Sequence, residues 1–295
     1  MNQVSAPVHQ GKFLHPRLLY TLFKYTIYVM LGVDAYLFFQ EDLAASAETF
    51  GDGIGWQNMV EAFTASFDTT AWLILLLLFE LETAVIPDSK LQGGLKWLLM
   101  AVRVICYFFI VYAFWGYIYK FGVVTDLSPF NVSDVCALAG GDWNYVVDLD
   151  DYPPLDAEAC LLLQGEPLLR INDTYIIGTA EAMKSAFWLA VIDIVNAGTW
   201  LIIVLLLEAE VWMQLRDILT GRILLVSKLL KGFFYLMLLV CAVYWAFEGS
   251  FLDFWDAFLW LVAFIFIEMN IFQWHEETEE AWEAEQAAQN QASAR

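Results

Sequence analysis

The sequence predicts an all-α polytopic membrane protein: six transmembrane helices as three pseudo-repeated two-helix hairpins, with a small external loop subdomain. Three observations carry that fold class. Hydrophobic residues occupy 60% of the 295 positions and aromatic residues 17%, and the mean hydropathy is +0.58, well outside the range of soluble globular chains. Several apolar runs reach the roughly 20 residues of helix that cross a hydrocarbon core about 30 Å thick. The third observation is a stretch that recurs with one internal spacing: Asp68…Trp72…Glu80-Leu-Glu82, Asn196…Trp200…Glu208-Ala-Glu210 and Asp256…Trp260…Glu268-Met-Asn270.

Residues 1–17 read as a cytoplasmic N-terminal segment. Lys12 and Arg17 precede an apolar run, but Leu18–Phe39 is 22 residues long. That exceeds the roughly 7–15 residues of a signal-peptide core, so it is expected to be an uncleaved first span. The remaining expected spans are Thr69–Ile86, Leu98–Tyr119, Ala186–Leu207, Leu224–Phe247 and Phe251–Phe272. Each is too long for a barrel strand and lacks strict alternation. Residues 18–86 make the first hairpin repeat, 95–210 the second, enclosing an external subdomain at 121–185, and 222–273 the third. Residues 275–295 form an acidic, Glu-rich cytoplasmic tail of the kind that stays solvated.

The bases sort between the two sides. Lys12, Arg17, Lys24, Lys90, Lys96, Arg103, Arg216, Arg222, Lys228, Lys231 and Arg295 fall on the side of the N-terminus, and only Lys120, Arg170 and Lys184 on the other. Eleven against three places both termini in the cytoplasm of a plasma or inner membrane by the positive-inside rule. The first external stretch, Gln40–Phe67, is acidic and carries the turn-rich Gly51-Asp-Gly-Ile-Gly55.

The odd-numbered helices repeat as well. Lys24…Tyr28…Met30, Arg103…Tyr107…Phe109 and Lys231…Tyr235…Met237 occupy corresponding places. Each repeat thus pairs an outward helix carrying a base with an inward helix carrying a Trp and acids. Lys24, Arg103 and Lys231 are the natural charge partners of Glu80, Glu82, Glu208, Glu210 and Glu268, and structural ion pairing is a usual fate of intramembrane charge. Three bases do not neutralise five acids, so the surplus is expected to be hydrated, protonated or cation-bound. Glu80, Glu208 and Glu268 would form an acidic ring towards the cytoplasmic end. Asp34 and Asp193 are acids outside the triplets. Asp34 aligns with Ala113 and Cys241, and Asp193 stands near Asn196 at the external mouth.

Other features have plainer readings. Asp68, Asn196 and Asp256 suit helix N-caps or the interface. Trp72, Trp200 and Trp260 suit contacts between helices. Cys136 and Cys160 lie on the oxidising face, where a disulfide is expected, whereas Cys106 and Cys241 lie within spans as small apolar groups. Asp148-Leu-Asp150-Asp151 lacks the Gly and terminal Glu of an EF-hand loop and reads as a solvated acidic turn.

His9, His15 and His275 form no pair at metal-ligand spacing. No phosphate loop, Gly-x-Ser-x-Gly elbow or Cys-x-x-Cys is present, so no enzyme chemistry and no cofactor is indicated. A net charge of −21 argues against nucleic acid as a partner.

Three two-helix repeats with both ends on one side resemble the mitochondrial carriers in outline. That family's Pro-x-[Asp/Glu]-x-x-[Lys/Arg] signature is absent from the odd helices here, so no residue role carries over. The partners implied are a lipid bilayer and a cation or proton. The expected function is a cation- or proton-handling transporter or channel-like protein. The alternative is a non-transporting scaffold or assembly subunit, docking protein partners or a second copy through the external loop and acidic tail.

Overall fold

The computed structural model describes residues 16–49, 55, 59–82, 86, 93–214, 216 and 221–266. Helices α1 (Pro16–Thr49), α2 (Met59–Ala62), α3 (Thr64–Glu80) and α4 (Gly94–Thr125) lead into a small mixed subdomain. Within it lie β1 (Leu127–Phe130), a 3₁₀ turn at Val135–Leu138, β2 (Asn144–Tyr145), α5 (Ala157–Leu163), β3 (Leu168–Ile171) and β4 (Ile176–Thr179). Helices α6 (Ala180–Gln214) and α7 (Gly221–Glu248) follow, then α8 (251–266).

Among the described residues, four helical segments rather than the expected six are long and apolar enough to cross a membrane: Leu18–Ser46, Gly94–Thr125, Ala180–Glu210 and Gly221–Glu248. The span expected at Thr69–Ile86 is displaced towards the N-terminus as α3, which has 17 residues and is about 25 Å long at 1.5 Å per residue. Leu81 and Glu82 continue it as a wider turn, in which the Ile86 N–H bonds the Leu81 carbonyl at 2.9 Å. Of the expected Phe251–Phe272, residues 251–266 are helical and the rest lies outside the described residues. Conversely, α1 continues past Phe39 through Gln40, Glu41 and Asp42 to Thr49, so much of the expected first loop is helix. Hydropathy marks where a helix is apolar, whereas the backbone hydrogen bonding that defines its length runs on through polar residues.

The packing joins consecutive helices, α3 to α4, α4 to α6 and α6 to α7, rather than isolating three hairpins. The chain falls into two compact units. In the unit of 1–30 and 262–295, the Tyr20 and Phe23 rings meet Phe266 edge-on at 5.3 and 5.5 Å. The unit of 31–261 holds the subdomain and most of the helical packing.

Polarity is arranged inside out. On α4, Cys106, Ile110, Ala113 and Gly116 form a buried stripe, while Val104, Phe108, Val111 and Trp115 are exposed. That outer face suits lipid rather than water. On α1 the buried stripe includes Lys24, Asp34, Asp42 and Ser46 beside Leu31 and Phe38. At Gly116, α4 lies close against α3: a Cβ there would stand 2.5 Å from the Thr64 hydroxyl oxygen.

The subdomain sheet has the order β1-β3-β4-β2. Strands β1 and β3, and β3 and β4, are antiparallel, and β2 and β4 are parallel. The expected disulfide is present, joining Cys136 to Cys160 within a small core of Val135, Leu155, Ala159, Leu163, Leu168 and Ile177. Asp156 caps α5 by accepting from the N–H groups of Glu158 and Ala159. A second core, including Val146, Leu149 and Ile176 with Leu189, Ala190 and Trp245, fastens the sheet to α6 and α7.

Candidate functional site

The aligned residues fall into distinct groups, beginning with the glutamates. Arg103 Nη2 donates to Glu82 Oε2 at 2.6 Å. Lys231 Nζ donates to Glu210 Oε2 at 2.9 Å, and the Ser227 hydroxyl bonds the other oxygen of Glu210. The Tyr107 hydroxyl donates to Glu208 Oε1 at 3.3 Å. Glu82 and Glu210 thus each take a base, while Glu208 takes a phenol. Glu80 and Lys24 are both buried, and the Lys24 ammonium stands 5.3 Å from the Tyr25 ring centre. Glu268, the third member of the expected acidic ring, lies outside the described residues.

The three aligned tryptophans meet. Trp72 lies 6.1 Å from Trp200 and 6.4 Å from Trp260 between ring centres, a contact between α3, α6 and α8 of the kind expected of such side chains. Asp68, Asn196 and Asp256 are not N-caps. They sit inside α3, α6 and α8, because those helices start earlier than the apolar runs do. Tyr117 on α4 donates its hydroxyl to Asp68 Oδ2 at 3.3 Å, and Trp260 donates its indole N–H to Asp256 Oδ1 at 3.1 Å.

The charged groups that act most on Asp256 are Asp34, Asp253 and Asp68, all of them acids. Asp34 is 1% exposed, and its Oδ2 has no hydrogen-bond partner. The aligned Ala113 and Cys241 are equally enclosed, at 0% and 1%, so the first odd helix carries a carboxyl group at a position that is sealed in all three.

A concentration of acid lies beside the subdomain. A cavity of about 390 Å³ is lined by Glu41 of α1, Asp148, Asp150 and Asp151 of the loop after β2, Asp193 of α6 and Asp253 of α8, with Leu189 and Trp245 in its wall. Lys120 at the end of α4 donates to Asp150 at 2.5 Å, and Ser250 donates to Asp253 at 2.8 Å. Burial pushes the Asp148 carboxyl above its ordinary range. The Leu149 N–H opposes that shift, and Asp150 and Asp151 reinforce it. Nearby, Asp42 accepts from the Ser66 N–H at 2.9 Å and from its hydroxyl at 2.5 Å.

Among the described residues, no three or more His, Cys, Asp or Glu side chains are grouped to hold a metal ion. No family model, curated protein or solved structure matches the chain. Their place as lone acids within apolar spans pointed to Asp34 and Asp193, but Glu41, Asp42 and Asp253 were missed as members of one region. The available signal was position: Glu41 and Asp42 follow the expected first span, Lys120 follows the third, and Asp253 opens the sixth. All of them stand at one end of the helices.

Proposed function

We propose that this chain is an integral membrane protein that handles cations or protons, as a transporter or channel-like protein, with both termini cytoplasmic. The observation that carries the reading is the cavity beside the subdomain: six carboxylates line about 390 Å³, and Lys120 is paired with one of them. A cleft of one sign with low-dielectric walls concentrates ions of the other sign. The positive-inside count puts that cleft on the external face. Asp193, Asp68, Asp256 and Asp34 then supply acidic groups within the helices, and the Glu-rich ends supply a second acidic zone at the opposite end of the chain's helices. Protein purified into liposomes is expected to pass protons or monovalent cations down a gradient, with Asp193→Asn and Asp253→Asn each lowering the flux. Flux equal to that of empty liposomes would remove the reading.

A second reading, a scaffold that docks a partner through the external subdomain, is favoured by Leu161 and Leu162 on α5, which are 71% and 73% exposed. A stoichiometric partner that is lost in Leu161→Ser/Leu162→Ser, from protein that conducts nothing, would support it instead.

A further inference from the structure

We propose that Asp34 is a proton-binding site inside the bundle, coupled to Asp256, so that the cargo of this protein is the proton. The inference rests on the cation- or proton-handling reading and narrows it. Asp34 lies on the buried stripe of α1 between Leu31 and Phe38, at 1% exposure, and one of its carboxyl oxygens meets no donor. A carboxylate with one oxygen denied both water and a donor is costly to enclose in its charged form, and a group of this kind within a span marks a site by default. A single proton on the free oxygen removes the charge.

Among the described residues, the charged groups that act most on Asp256 are other acids: Asp34 on α1, Asp253 on α8 itself and Asp68 on α3. Tyr117 on α4, which bonds Asp68, also feels Asp193 on α6 and Asp42 on α1. On α7 the Cys241 thiol feels Asp193. The Lys120 ammonium is held by Asp150 at 2.5 Å.

A metal ion fits the position poorly. Hard cations need several converging oxygens. Two carboxylate oxygens of this group are already engaged, one by Tyr117 and one by Trp260, and no described group of acids is arranged for a metal. A proton needs one acceptor.

Infrared difference spectra of the full chain in lipid nanodiscs, recorded across pH, read the carbonyl stretch of a protonated carboxyl group directly. The expected result is a protonated-carboxyl band that persists at neutral pH, is lost in Asp34→Asn and returns at a shifted position in Asp34→Glu. Recovery in the Glu variant shows that the loss is not unfolding. Asp256→Asn should leave the band in place but change its pH dependence, because Asp34 and Asp256 interact. An unchanged band in Asp34→Asn, or removal of the wild-type band by sodium or potassium at constant pH, overturns the proposal.

Flux is measured on the same preparations. A band that depends on Asp34 in protein without proton flux upholds the site and removes the transport reading. Proton flux that is indifferent to Asp34→Asn, with no band assignable to Asp34, removes the site and leaves that reading standing.

Discussion

Lys231 holds Glu210 at 2.9 Å across 21 residues, and Arg103 holds Glu82 at 2.6 Å across the same separation. The two pairs differ in setting. The Lys231 and Glu210 side chains are 15% and 16% exposed, and those of Arg103 and Glu82 are 38% and 25% exposed. Removing one partner of an enclosed pair leaves the other charge stranded, at a cost of about 3 kcal/mol. A pair with one wet partner is worth about 1 kcal/mol or less. Lys231→Met should therefore destabilise the protein by clearly more than Arg103→Met, measured by unfolding in mixed micelles. Adding Glu210→Gln to Lys231→Met should recover most of the loss. Equal costs for the two methionines would show that burial does not set the strength of these pairs.

A second prediction concerns the crossing of α3 and α4. A Cβ on Gly116 would stand 2.5 Å from Thr64 Oγ1 and 3.0 Å from its Cγ2. Thr64 is buried at 1% exposure, its Cβ itself would stand 3.3 Å away, and β-branching restricts its χ1. Gly116→Ala should force the helices apart and cost about 1–3 kcal/mol, the usual range for overpacking. Gly232→Ala on α7 is the control: nothing lies within 4 Å of its added methyl, so the better helix propensity should make it neutral or stabilising by up to about 1 kcal/mol. Thermal unfolding of the three proteins side by side decides the matter, and a tolerated Gly116→Ala would mean that the close approach is not needed.

The parts of this molecule that follow local rules were legible in the sequence. The long apolar helices, the Cys136–Cys160 bond and the tryptophan contact all arise from hydropathy, compartment or spacing along one chain. The acidic cavity was not legible, because Glu41, Asp148, Asp193 and Asp253 come from four separate segments that share no spacing. Only the fold brings them together. Asp68 and Asp256 looked like caps because polar residues at the edge of an apolar run usually are. That inference fails where a helix begins several residues earlier, as α3 does at Thr64. Of the six spans that hydropathy suggests, the second and sixth are not, among the described residues, helices of spanning length.

The disulfide makes a third prediction. Cys136 and Cys160 close a loop separated by 24 residues, which the chain-entropy model values at roughly 3 kcal/mol. The small core around the bond shares no residue with the larger cluster that joins the sheet to α6 and α7. Reduction, or Cys136→Ser with Cys160→Ser, should therefore loosen the 3₁₀ turn and α5 while sparing the helical bundle. Amide hydrogen exchange is expected to rise within residues 131–165 and to stay unchanged in α4 and α6. A uniform rise across the helices would show that the subdomain and the bundle unfold together.

The last prediction is a pH dependence of the loop after β2. Asp148 titrates above its ordinary value of 3.8 because burial disfavours its charge, and Asp150 and Asp151 add to the shift. For an acid whose folded value is raised, the stabilising contribution is fully present below the unfolded pKa and is lost as pH rises through the folded value. The loop should therefore be tightest in mild acid and loosen towards neutral pH. No histidine lies between residues 121 and 185, so the usual titration near neutrality does not obscure the effect. Asp148→Asn keeps a side-chain oxygen to accept the 2.7 Å bond from the Leu149 N–H while removing the charge, so it should flatten the dependence. Exchange of the amides in residues 146–153, followed from mild acid to neutral pH with correction for intrinsic rates, gives the readout. The same slope in wild type and Asp148→Asn would assign the dependence to a different group.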